Sequence, residues 1–108
     1  MNEFDARQLN IMLQKIHAFS QGALDFPDLI YDLEALVNIL VGLEQSWKDI
    51  FTGYWWDLEQ VYAVNVYKNK NTLNNKDRQI VSDTLNALEK LIKDKLHSLE
   101  NIQIGVTG

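Results

Sequence analysis

The sequence predicts an all-α protein, an antiparallel bundle of about four helices, and three observations predict it. Apolar residues recur every three or four positions through nearly the whole chain, which stacks them on one face of a helix. One Pro and five Gly are too few to break the chain into many short elements. The only β-branched run, around Val61 to Val66, sits inside a helical pattern rather than an alternating one.

The first helix is expected over 3–20, where Phe4, Leu9, Met12, Leu13, Ile16 and Phe19 keep one apolar stripe. It should stop at "SQGALD", because Gly22 tolerates the left-handed conformation that commonly ends a helix. The second, over 26–42, has the clearest start: Asp25 at the cap, Pro27 in the first turn, Asp28 three residues after the cap, and Leu24 with Leu29 as a hydrophobic staple. Its stripe is Leu29, Leu33, Leu36, Val37, Leu40 and Val41, which carries the helix to about Gly42. A third helix over 46–68 gathers Trp47, Ile50, Phe51, Tyr54, Trp55, Leu58, Val61, Tyr62 and Val66 on a broad face. The break before it is open: Gly42 to Ser46 can form a turn, or Gly53 can bend the helix. "KNKNTLNNKD" is the clearest loop, and Asn74 or Asn75 can cap the next helix. That fourth helix, 75–100, repeats Val81, Leu85, Leu88, Leu91, Ile92, Leu96 and Leu99, and "IQIGVTG" reads as a loose tail over 101–108. No repeat of fixed period appears.

A length of 108 residues with 46% hydrophobic content suits one domain around one core. Without Cys, the chain has no disulfide, thiolate metal site or cysteine nucleophile, which fits the cytoplasm. "MNEFDARQLN" lacks the basic start and apolar run of a secretory signal, and no run approaches the ~18 apolar residues that span a bilayer. A cytoplasmic protein that does not enter the membrane is expected.

Net charge is −5, unevenly placed: ten acids and three bases lie in residues 1–64, five acids and seven bases in 65–108. The first part should attract a basic protein and repel nucleic acid. Lys68, Lys70, Lys76 and Arg78 are too few to make a phosphate-binding face. Taken alone, the acidic bias reads as solubility, and Asp25 and Asp28 already suit a helix N-terminus.

Catalytic signals are weak. His17 and His97 are the only histidines, with no HExxH-type spacing, so neither a metal nor a cofactor is expected. The acid pairs Asp25/Asp28, Asp28/Asp32 and Asp57/Glu59 have spacings that arise freely in amphipathic helices. Phosphate-loop, nucleophile-elbow and EF-hand patterns are absent, and Glu89, Asp94 and Glu100 interrupt the basic side of the last helix. No catalytic residue is assigned and an enzyme is not expected.

Six of the eleven aromatic residues fall in "IFTGYWWDLEQVYAVNVY", residues 50–67. On a helical wheel Trp47, Phe51, Tyr54, Trp55 and Tyr62 join Leu58 as core, whereas Trp56 and Tyr67 project almost opposite with Asp49, Gln60 and Ala63, and Thr52 and Glu59 lie at one edge. Two readings are open: a binding face carrying an exposed Trp, or a central helix buried on both sides. The outer side of the second helix carries Asp28, Tyr31, Ala35 and Asn38, again acid plus aromatic. Asp28, Tyr31, Asp32, Asp49, Trp56, Asp57, Glu59 and Gln60 are the candidate partner contacts.

Phe19, Gly22, Leu29, Asp32 and Leu33, followed by Trp47, Phe51, Trp55, Leu58, Glu59, Tyr62 and Ala63, form a pattern that resembles small helical immunity proteins of bacterial contact-dependent growth inhibition systems. The resemblance spans roughly residues 19–99. It implies a cytoplasmic antidote that binds the toxic C-terminal domain of an incoming effector, commonly a nuclease such as a ribonuclease, and occludes its active site. An acidic antidote suits a basic nuclease, because carboxylates imitate the phosphates such a site receives. The family supplies no contact set to carry over, so the eight contacts rest on the wheel and on charge. Two alternatives belong to other classes: a helical adaptor or homodimer with Trp56 and Tyr67 in a self-interface, and a helical nuclease, for which Arg7 with His17 and Arg78 with His97 are too widely spaced.

Overall fold

The structure, a computed structural model, describes residues 3–68 and 73–107, with side-chain surroundings up to residue 98. Four helices account for most of it: α1 (Glu3–Ser20), α2 (Phe26–Asn38), α3 (Gln45–Tyr67) and α4 (Asn75–Thr107), and no strand occurs among the described residues. Each helix packs on two neighbours, in the ring order α1, α2, α3, α4, so that α1 lies diagonally across from α3 and α2 from α4. The ends confirm the antiparallel sense. Asp5 at the start of α1 meets residues just after α2, Lys95 late in α4 meets Glu44 before α3, and Asn65 late in α3 meets Asp77 early in α4.

One core joins all four helices. Leu9 and Met12 of α1, Leu29 and Leu33 of α2, Phe51 and Leu58 of α3, and Leu88 and Ile92 of α4 are fully buried. Removing a side chain such as Phe51 from such a site costs about 3–5 kcal/mol, since the cavity only partly collapses. Tyr54, Trp55 and Tyr62 are half-buried at the edges of the same core.

The first turn matches the sequence closely. Gly22 has φ +79°, the Ala23 N–H donates to the Ala18 carbonyl at 2.8 Å, and the Gly22 N–H donates to the Phe19 carbonyl at 3.0 Å. This is a Schellman ending, which satisfies the last carbonyls of α1 with the chain's own backbone. At the α4 start, the Asn74 side chain accepts the Asp77 N–H at 2.8 Å and caps the helix.

Several expectations are corrected. The second helix ends at Asn38 rather than near Gly42, and Val41, placed in its apolar stripe, is 71% exposed. The reason is remote in sequence: the fully buried Asp5 carboxylate accepts the N–H groups of Val41 at 3.0 Å and Gly42 at 2.7 Å, while the Lys48 ammonium donates to the Leu40 carbonyl at 2.8 Å. Backbone groups that a continuing helix would have paired are satisfied there by two charged side chains. The third helix runs Gln45–Tyr67 instead of 46–68, and the fourth continues through the expected tail to Thr107. Asp25 sits at the α2 cap but its side chain makes no capping hydrogen bond. Ile50 and Val66, assigned to the inner face of α3, are exposed, because a helix flanked by only two neighbours buries a narrower arc than the pattern suggests. Lys70 and the side chains of Leu99 and Glu100 lie outside the described residues.

Candidate protein-docking face

The aromatic cluster divides as the wheel predicts. Trp47, Phe51 and Leu58 are buried, and Trp47 stacks on Phe51 with ring centroids 5.6 Å apart. Trp56 is 53% exposed and Tyr67 90% exposed, so α3 is not buried on both sides. Asp49, Thr52, Gln60 and Ala63 are exposed beside them, with Glu59 half-buried at the edge.

One hydrogen bond aligns the outer faces of α2 and α3. The Trp55 indole N–H donates to the Ile30 carbonyl at 2.8 Å, which locks the two helices at that level. Tyr31 and Trp56, each next in sequence to one of those residues, therefore come to the same height on adjacent helices. Tyr31 is 68% exposed, and Trp56 leans on Trp55 with ring centroids 6.1 Å apart. Two large, partly supported aromatic side chains on a polar surface are the feature that protein interfaces use as anchors, because few rotamers are lost when they are covered.

The acids are less tightly gathered than predicted. Asp28 and Asp57 are exposed, and Asp49 is exposed and accepts from the Gln45 amide at 2.9 Å. Asp32 is half-buried and turns toward α1, where it pairs with Lys15 at 3.2 Å. Asp57 lies one turn beyond Tyr54, and Tyr54 lies beside Ala87 and Leu91 of α4, so Asp57 points to the α4 side. The eight candidates thus split: Tyr31, Trp56, Gln60, Asp49 and Glu59 share the outer surface of the α2/α3 pair, Asp28 borders it, and Asp32 and Asp57 fall on its opposite flanks. The flanking pair is worth little to a central contact.

Electrostatics on this face are simple. Across α2 and α3 the acids are Asp28, Asp32, Glu34, Asp49, Asp57 and Glu59, and the one base is Lys48, whose ammonium is held by the Leu40 carbonyl. Just before α3, Lys95 donates a hydrogen bond to Glu44 and holds its carboxyl below the ordinary glutamate value.

Three functional-looking features escaped the sequence. Asp5 and Asn65 are buried; the Asn65 amide donates to the Val61 carbonyl at 2.8 Å and to Asp77 at 3.1 Å, tying α3 to α4. A cleft of about 530 Å³ opens between α1 and α4, lined by Ile16, Phe19, Leu73, Arg78, Val81 and Leu85 among others. It holds none of the eight candidates and lies away from the outer surface of α3; protein docking needs a broad surface rather than a cavity, so the α2/α3 face remains the better candidate. No group of three or more His, Asp or Glu side chains suited to a metal occurs among the described residues, and no helix there is long and apolar enough to cross a membrane.

The fold and this face define a small all-α bundle with an acidic, aromatic outer surface on one helix pair. Comparison with protein families, with curated proteins and with solved structures finds no match to this chain.

Proposed function

We propose that this protein is a cytoplasmic immunity protein that binds the basic C-terminal domain of a bacterial toxin, a nuclease, and blocks its active site. The observation that carries the reading is the exposure of Tyr31 and Trp56, each next to a partner of the Trp55–Ile30 hydrogen bond, on the two helices of most negative net charge. The aromatic pair supplies the desolvated centre of an interface, and Asp49, Glu59, Asp28 and Glu34 supply a rim that attracts a cationic partner and competes for its phosphate-binding groups. The likeness to small helical immunity proteins of contact-dependent growth inhibition systems supports the same partner class.

Co-expression with the C-terminal domain of the protein encoded immediately upstream tests it, scored by cell survival and then by co-purification. Survival with a stable complex supports the antidote; death, or survival without a complex, removes it. In that complex Trp56→Ala should weaken binding by about 2 kcal/mol, roughly thirtyfold, while leaving the urea midpoint of the free protein in place. Raising salt should slow association.

A further inference from the structure

Along the outer face of α3 run Asp49, Gly53, Trp56, Gln60, Ala63 and Tyr67, alternately four and three residues apart, and all six are exposed. That spacing is the period of a helix-pairing seam, and here it faces away from the bundle's own core. The seam alternates bulk and space. Trp56 and Tyr67 protrude, a Cβ at Gly53 would meet nothing within 4 Å, and Ala63 offers a single methyl.

We infer that α3 pairs antiparallel with α3 of a second copy of this chain, each Tyr67 filling the space over the other copy's Gly53 and each Trp56 packing on the other's Ala63 and Val64. The numbering makes the match self-complementary. Gly53 and Tyr67 are centred on position 60, and Trp56 and Val64 are centred on position 60 as well, so one register seats both aromatic residues. An interface between identical copies about a two-fold axis requires this reciprocity, in which residue i meets j and j meets i. Gln60 then faces its own copy at the axis, where two amides can exchange hydrogen bonds.

Charge selects the same orientation. On the outer surface of α3 the acids are Asp49 and, at its edge, Glu59, and the exposed cation Lys68 directly succeeds its C-terminal end. In this register Lys68 comes opposite the second copy's Thr52, one turn from its Asp49, and the contact occurs twice. A parallel pair would set Asp49 against Asp49 and Lys68 against Lys68.

The pairing does not depend on a toxin, so it is tested on the purified full chain alone. Sedimentation velocity over a series of protein concentrations should show a monomer–dimer equilibrium. Because the chain has no Cys, Gln60→Cys introduces a single thiol at the proposed axis, and a short bis-maleimide should couple two copies efficiently. Asn10→Cys, on the helix diagonally across the bundle, should couple poorly. Gly53→Gln fills the receiving space at a position where nothing is crowded and where the new residue favours helix; it should weaken the dimer at least tenfold with no loss of helical signal or urea midpoint. A chain that stays monomeric at every accessible concentration overturns the inference. So does a dimer that ignores Gly53→Gln and couples equally well through Asn10→Cys, since that dimer uses another face. Trp56 belongs to both surfaces, so where the toxin also binds, the two partners exclude each other.

Discussion

The two ends of the bundle solve the same problem by different physics. Where α1 finishes, the turn into α2 supplies its own backbone hydrogen bonds through the left-handed Gly22, and the surrounding space is filled by rings: Phe19 and Phe26 at 5.6 Å, then Phe26 edge-on to Tyr62 at 6.2 Å. Where α1 begins, the connection from Asn38 to Glu44 does not complete its own bonding. It borrows the Asp5 carboxylate, the Lys48 ammonium and, just beside it, the Lys95 to Glu44 pair. A turn that satisfies itself needs only apolar cover, whereas an irregular segment requires charged side chains fixed by other helices. The first end should therefore answer to loss of surface, the second to loss of charge.

Removing the carboxylate tests the charged end most severely. Asp5→Ala leaves two backbone N–H groups without their acceptor and should lower stability by about 3 kcal/mol, read as a fall in urea midpoint. Asp5→Asn, which retains one acceptor oxygen, should recover part of that loss; equal losses would mean that shape rather than charge holds the connection. At the ring end, Phe26→Ala should cost about 2 kcal/mol for a half-buried ring with two aromatic neighbours, and the loss should be insensitive to salt.

Smaller effects sharpen the contrast. Trp47 is buried next to the charged end, and its indole N–H has no acceptor among the described residues. Trp47→Phe removes that unmet donor together with some packing, so the urea midpoint should move by less than the equivalent of about 1 kcal/mol. Lys95→Met should cost no more than about 0.5 kcal/mol at neutral pH, because Glu44 is more than half exposed and solvent screens the pair. The sign with pH comes from the lowered Glu44 carboxyl: the pair's contribution is present above the ordinary glutamate range and is lost as pH falls through the depressed value. Acid titration of stability should thus be shallower in Lys95→Met than in the parent chain.

The four helices were legible because each buries a stripe whose period survives in the residue order. So was the outward orientation of Trp56 and Tyr67, which depends on the same period. The end of α2 was not. Leu40 and Val41 extend its apolar pattern, and the helix is stopped by a carboxylate 36 residues away whose burial nothing local announces. Asn65 failed for a related reason: it sits among valines on a wheel that gives no hint of Asp77 as its partner. The acids of the candidate face were only partly legible, since Asp32 and Asp57 are set by contacts with α1 and α4 that the α2 and α3 patterns do not contain.

Asp5 also makes the opening of the chain a component of its middle. The bonds to Val41 and Gly42 close a loop of 36 to 37 residues, so the segment leading into α3 is completed only by a side chain synthesised long before it. Trimming the first six residues would look harmless by position, yet it would unfasten the distant joint that sets where the aromatic helix begins.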